Sequence, residues 1–521
     1  MHGRSVLPYL IMLLKFIQIC LLFLFTCFSC YSQKHRQLSN SPKYEFRAAW
    51  IATVENIDWP QKGQYNSDLQ KKDFIRILDE HKHSNLNAVM VQVRDACDSY
   101  YARSVEPWSE FLTGVQGKFP NPFYDPLSFM ITEAHDRNLE FHAWLNLNRA
   151  TFRRATSVTP DHISNRKPEW ILTYDGQKLL NFGIPEVRDY ITNVVLDIVK
   201  HYDVDGIHFD DYFYPYQVTG QVLKDTETFK KYNNGFTNIE DWRRNNTDLL
   251  IFQISEAIKK TKPYVKFGIS PFGVWKNYSL QTPEGSRTQA GQTSYGHLYA
   301  DTRNWLQQGW IDYIAPQIYF DRKHPKVSYT ELSKWWMENA FGKHLYIGHG
   351  IYKIKTGWSL SEAPSQIRLD RQFKQIDGGI FFSSKSLTEN YGGFQDSLRI
   401  DLYRRPALIP AMPWKDNIAP LAPQKVIITR NSIGNPVLTW QPGEPASDGN
   451  ENTYFAIYRF ERAEKPDFQR VDKIIYIGRQ NTFTDSTAEK SRGYVFHVTS
   501  FDRLHNESET SATASIEYGE K

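Results

Sequence analysis

Eight short apolar runs, each followed by a stretch with helical spacing, constrain this chain more than any other feature. The runs are 48–54 (AAWIATV), 87–94 (NAVMVQVR), 139–147 (LEFHAWLNL), 205–211 (DGIHFDD), 265–271 (VKFGISP), 311–319 (IDYIAPQIY), 344–350 (HLYIGHG) and 378–384 (GGIFFSS). Helical stretches fall near 68–84, 125–137, 185–202, 239–262, 298–308, 329–341, 362–376 and 390–402. In 185–202 the residues Val187, Tyr190, Ile191, Val194, Val195, Ile198 and Val199 share one helical face. Pro185 opens that stretch, where a missing N–H costs nothing. Eight strand–helix units predict an α/β chain closed into a (β/α)8 TIM barrel. An open doubly wound sheet is the rival. No Gly-rich phosphate loop follows the first run, which argues against its nucleotide-binding form.

Loop lengths say where chemistry belongs. Helix-to-strand links are short, as in Ser84-Asn85-Leu86 and Arg137-Asn138, whereas the strand-to-helix links 95–124, 148–184, 212–238 and 272–297 are long. In a barrel the long links share the C-terminal face, where active sites are built. Aromatic residues gather there, among them Tyr100, Trp108, Tyr212, Tyr214, Tyr216 and Trp275. With 14 Trp and 30 Tyr, the chain can line a cleft with rings on which sugar faces stack.

At 521 residues the chain is too long for one domain of usual size. Arg4 and Lys15 precede an apolar run, 16–28, of signal-peptide length. The run ends in LFTCFSC, which resembles a lipoprotein box with Cys30 as acceptor and Cys27 as the alternative. We therefore expect residues 1–30 to be an export signal, 31–45 a tether, 46–405 the barrel and 406–423 a Pro-rich linker. From 424 to 518, short alternating strands predict a small all-β immunoglobulin-like sandwich with Trp440 and Tyr494 in its core. The stretch resembles a fibronectin type III domain. Ordinary signal cleavage after Ser32 is the alternative to lipidation, so the expected localisation is the cell envelope, either lipid-anchored to an outer membrane or periplasmic. Only Cys97 remains outside the leader, so no disulfide is expected in the body. Net charge is +4 with no dense Lys/Arg block, which excludes a nucleic-acid partner. No HExxH, Cys/His cluster or G-x-S-x-G elbow is present, so neither a metal, a cofactor nor a serine nucleophile is expected.

The string DGIHFDDYFYP carries the sharpest chemical signal. Alternation sends His208 and Asp210 to one side of the fourth strand and Ile207 and Phe209 to the other. Asp211 falls where the chain leaves the strand, so both carboxyls can enter one cleft. Neighbouring carboxyls push their pKa values apart, which keeps one protonated and one ionised. Glycosidic cleavage needs that pair. Adjacency suits a route in which the sugar's own 2-acetamido group attacks, with one Asp orienting the amide and the next, Asp211, protonating the leaving group. Other strand ends offer Arg94, Asn146, Asn148, His208, Tyr212, Tyr214, Trp275, Asn277, Gln317 and Tyr319 as substrate-binding groups, with Asp58 a reserve carboxylate.

The strings FRAAWIATVENIDWP, LNFGIPEVRDYI, DGIHFDDYFYP, ISPFGVWKN and WIDYIAPQIYF together resemble glycosyl-hydrolase-like family 10, over roughly 46–405. The resemblance implies an exported bacterial barrel acting on peptidoglycan glycan strands that lack stem peptides. The competing readings are a hydrolase of dietary or host polysaccharide and a non-catalytic glycan-binding barrel.

Overall fold

The computed structural model describes residues 41–490 and 492–516. The expected export signal, with Cys30 and Cys27, lies outside the described residues. Among the described residues no helix is long and apolar enough to cross a membrane.

Eight parallel strands close into a barrel: β1 (Phe46–Ile51), β2 (Ala88–Arg94), β3 (Glu140–Leu145), β4 (Gly206–Phe209), β5 (Lys266–Ile269), β6 (Tyr313–Ile314), β7 (His344–Gly350) and β8 (Gly378–Phe382). The ring order is β1-β8-β7-β6-β5-β4-β3-β2. Period-two alternation decides what fills it. Phe46, Ala48 and Trp50 join Met90, Trp144, Tyr313, Tyr346 and Ile380 in the cluster inside the barrel. The intervening Ala49 and Ile51 belong to clusters packed under the helices.

Helices α1 (Ser67–His83), α2 (Pro126–Asp136), α3 (Pro185–His201), α4 (Ile239–Thr261), α5 (Thr302–Gln307), α6 (Tyr329–Glu338) and α7 (Glu362–Asp370) surround the strands. Asn66 and Asn238 cap α1 and α4, each side chain accepting two of the first free N–H groups. Helix α3 buries Val187, Ile191, Val194, Val195, Ile198 and Val199, the face its spacing predicts.

The structure departs from expectation in three places. The sixth strand pairs over two residues, because Pro316 offers no N–H to extend the ladder. The stretch 390–402 is not one helix: Gly392 and Gly393, at φ 57° and 74°, turn the chain between a short helix (Phe394–Ser397) and a preceding one (Ser384–Thr388). The long 148–184 link folds into a three-stranded antiparallel sheet of Arg149–Thr151, Gln177–Leu180 and Ile171–Tyr174.

The Pro-rich segment after 405 closes the underside of the barrel. Ile409 and Met412 enter the interior cluster, and Trp414 Nε1 donates to Asp312 at 3.1 Å. Beyond it, β9 (Gln424–Arg430), β10 (Pro436–Gln441), β11 (Tyr454–Glu461), β12 (Ile474–Gly478), β13 (Thr482–Thr484), β14 (Tyr494–Phe501) and β15 (Ala514–Ile516) form two antiparallel sheets, β9-β10-β13 and β12-β11-β14-β15. Trp440 and Tyr494 lie in the core between them. This module sits against the underside, where Arg503 pairs with Asp203 at 2.6 Å.

Candidate active site

At the C-terminal end of the barrel lies a cavity of about 390 Å³, within the range of small-ligand sites. A larger one, about 810 Å³, lies between the underside and the C-terminal sheets, away from the long loops. The smaller one holds Asp210 and Asp211, just past the end of β4, and its walls include Trp50, Trp144, Tyr212, Tyr216, Tyr319 and Phe382.

Both carboxyls are nearly buried, at 7% and 4% exposure. Asp210 accepts from Trp144 Nε1 (3.1 Å), Asn146 Nδ2 (3.0 Å) and the backbone N–H of Tyr212 (3.3 Å). Asn146 is held in that sense because its Oδ1 accepts from the Arg149 backbone at 2.9 Å. Asp211 accepts from the Tyr216 hydroxyl and from Gln317 Nε2 (3.1 Å). Burial first, and repulsion from Asp211 second, push Asp210 up to about 6. Burial raises Asp211 as well, against the Tyr216 and Gln317 hydrogen bonds. The site therefore keeps one proton into the weakly acidic range.

Hydrogen-bond chemistry places that proton. The three groups facing Asp210 are N–H donors that cannot accept, so a protonated Asp210 would lose a contact. Tyr216 is a hydroxyl, able to turn and accept from a protonated Asp211. The donor pattern therefore puts the pair's proton on Asp211 and leaves Asp210 the anion.

Of the substrate-binding residues read from sequence, Tyr212, Gln317 and Tyr319 line the cavity, and Asn146 supports it through Asp210. The others stand elsewhere. The ladder register shifts between Gln92 and Arg94, which takes Arg94 off the axis into a buried pair with Glu106 at 2.7 Å. Asn148 holds the Leu180 carbonyl at 3.1 Å. His208 lies inside the barrel, hydrogen-bonded to Trp50, Ser270 and Tyr313. Tyr214 is buried between Phe182 and Tyr299. Trp275 stacks on Trp335 and donates to Asp301 at 3.0 Å. Asn277 ties its own loop to Ala290 at 2.9 Å. Asp58 holds the N–H groups of Ala52 and Lys385 (2.7 Å each), a structural duty.

Trp50 and Glu55 had no place in the sequence reading, and Gln92 and Arg149 entered it only as polar groups at strand ends with no role assigned; all four line the cavity. Alternation along β1 would have pointed Trp50 inward with Ala48. Glu55 had no such signal, since a tight turn with φ 53° carries it in after β1. Arg149, 6% exposed, lies over the Tyr212 ring at 4.7 Å, and its charge lowers both Asp pKa values. Among the described residues no group of three or more His, Cys, Asp or Glu converges as a metal site.

Residues 45–364 match the family described as glycosyl hydrolase-like 10. "Glycosyl hydrolase YngK" of Bacillus subtilis (strain 168) is 45% identical over 477 residues, 90% of this chain and 92% of its own. "Glycosyl hydrolase DigH" of Escherichia coli (strain K12) is 38% identical over 382 residues, 68% of this chain and 85% of its own. The PgaB (BpsB) glycoside hydrolase domain from Bordetella bronchiseptica aligns at TM-score 0.46 and 10% identity over 69% of this chain and 99% of that one, too distant to compare residues.

Proposed function

Because the chain belongs to the glycosyl hydrolase-like 10 family, we propose that it hydrolyses N-acetylated glycan strands of the cell envelope, such as peptidoglycan freed of stem peptides. One observation carries the reading: two consecutive, buried carboxyls enter a ring-walled cavity at the C-terminal face. Consecutive residues place both carboxyls on one wall. That suits a reaction whose nucleophile comes with the substrate, rather than a double displacement, which needs carboxyls about 5 Å apart across the sugar.

In this mechanism Asp211 protonates the glycosidic oxygen as the C1–O bond breaks. The acetamido carbonyl oxygen bonds to C1, and Asp210, fixed as an anion, accepts the amide N–H and steadies the charged ring that forms. Water then attacks C1, opens that ring and returns a proton to Asp211. Trp50, Tyr212 and Tyr319 supply rings for the sugar faces. Export and anchoring through Cys30 place the enzyme at its polymer.

The test is release of disaccharides from amidase-stripped peptidoglycan, set beside intact peptidoglycan and a panel of plant and animal glycans. Release from stripped strands alone supports the reading. Turnover of plant or animal glycans alone sinks it, and so does full activity in both Asp210→Asn and Asp211→Asn. Glu55 favours one rival, because β1 stands three strands from β4 around the ring and brings a third carboxylate to the far wall. Under the acetamido route Glu55→Gln keeps most turnover. If Glu55 takes part in the chemistry, it loses roughly 10²–10⁴-fold.

A further inference from the structure

A chain of hydrogen bonds runs down the barrel axis from the wall of the cavity to the C-terminal module. Trp50 Nε1 donates to His208 Nε2 at 3.1 Å, and Ser270 Oγ stands 3.0 Å from the same nitrogen. His208 Nδ1 meets the Tyr313 hydroxyl at 3.0 Å, and that hydroxyl meets His142 Nδ1 at 2.9 Å. His142 Nε2 reaches Glu140 Oε2 at 3.1 Å. The other Glu140 oxygen accepts from Lys266 Nζ and, at 2.6 Å, from His505 Nε2 of the C-terminal module. His505 Nδ1 in turn meets the Tyr454 hydroxyl at 2.9 Å.

The two ends leave one proton arrangement. Trp50 can only donate, so with its indole turned toward His208 as observed, Nε2 is bare and the proton sits on Nδ1. Tyr313 then accepts from His208 and donates to His142 Nδ1. That puts the His142 proton on Nε2, facing a carboxylate that can only accept. Lys266 and His505 keep Glu140 ionised, well below the ordinary Glu value despite its burial. Each intermediate group is held from both sides.

The strands make room for this chain. His142 lies beside Gly206, and both His208 and Tyr313 lie beside Gly268 in the ladder register. A Cβ at Gly206 would stand 2.3 Å from His142 Nδ1, and one at Gly268 would stand 2.1 Å from the Tyr313 ring. His505 holds a backbone φ of 69°, which few residues other than glycine adopt without cost. A bare apolar filling would need none of these accommodations.

We propose that Glu140, at the far end of the barrel, sets the tautomer of His208 and so the orientation of the Trp50 indole and Ser270 hydroxyl that wall the substrate cavity, with His505 of the C-terminal module holding Glu140 in place. Glu140 and His505 are positioning residues: neither lines the cavity. Ser270 carries the effect onward, since its carbonyl accepts from Gln317 Nε2 at 2.8 Å and Gln317 holds Asp211. The C-terminal module is thereby part of the site's support rather than a passenger. The effect on turnover rests on the proposed glycan hydrolysis; the tautomer assignment does not.

The experiment therefore has two readouts on the full chain. Histidine ¹⁵N spectra, assigned by substituting His142 and His208 singly, report which ring nitrogen is protonated. The wild type is expected to show His208 protonated at Nδ1 and His142 at Nε2, and Tyr313→Phe to turn His208 into a mixture. A wild-type His208 protonated at Nε2, or an unchanged His208 in Tyr313→Phe, overturns the proposal whether or not the protein cleaves glycans. On stripped peptidoglycan, His505→Ala is expected to lower kcat by up to about a hundredfold, the scale that small misplacement of a site produces. His505→Gln, whose amide can donate to Glu140, should restore most of that loss. Equal loss in both variants, or none in His505→Ala, sinks the coupling even where the tautomers are as expected.

Discussion

Replacing Asp211 with Asn should stabilise the protein at neutral pH while stopping turnover. The amide fits its surroundings: its oxygen can accept from Gln317, and its NH2 can face a turned Tyr216 hydroxyl. What changes is charge. Burial and the neighbouring Asp211 lift Asp210 from the ordinary 3.8 to about 6, roughly two pH units or about 3 kcal/mol. An acid with a raised folded-state pKa binds its proton more tightly folded than unfolded. Stability therefore falls as pH climbs from about 4 to about 6, and the loss is complete above that range. Asp211→Asn removes the repulsion and the burial cost of Asp211 itself, but leaves the burial of Asp210. The gain at neutral pH is then about 1–3 kcal/mol, and close to zero near pH 4. The unfolding entropy of a 521-residue chain is about 1 kcal/mol per kelvin, so Tm should rise by about 1–3 °C at pH 7.5 and stay level at pH 4. Scanning calorimetry of both proteins at the two pH values decides it. The same offset at both, or a variant less stable at pH 7.5, would falsify the claim that the pair is held together against its own repulsion.

Other perturbations carry equally definite outcomes. Asp210→Asn should cost roughly 10²–10⁴-fold in kcat on stripped strands, because the acetamido N–H loses its acceptor. Tyr216→Phe removes a hydrogen bond that lowers the Asp211 pKa, so the alkaline limb of the pH–rate profile should move to higher pH; a shift to lower pH would refute the assignment. Gly268→Ala should destabilise the fold by about 3 kcal/mol or more in denaturant titration, since its Cβ meets the Tyr313 ring. Under the proposed lipid anchor, cell fractionation should find the wild type with the membranes and Cys30→Ala in the soluble fraction.

Much of the fold was legible because a barrel repeats one local rule. Short apolar runs set between helical stretches became β1 to β8, and the face of α3 could be named residue by residue. Legibility ended where a single residue broke the rule: Pro316 cut β6 short, and Gly392 with Gly393 broke the last helix. The acids were legible because alternation carries Asp210 to the side of His208 and Asp211 follows where the run ends; the strand itself stops at Phe209, and both acids line the cavity just beyond it. Arg94 was misplaced because its rotation depends on a register shift at Gln92, which only the partner strand reveals. Trp275 and Tyr214 were misplaced for another reason. An aromatic residue on a long loop can pack into that loop as readily as into the cleft, and composition does not say which.

The plug at Ile409 and Met412 bears on how this chain can be cut. The change of texture at residue 405 invites a boundary there, as though a finished barrel were followed by a spacer. A fragment ending at that point would open the barrel from below, exposing Phe46 and Tyr346 to water. The shortest independent piece must therefore run past Lys415, whose ammonium pairs with Asp312 at 2.9 Å. Exchange of the tail between relatives would succeed only with joints placed beyond that residue.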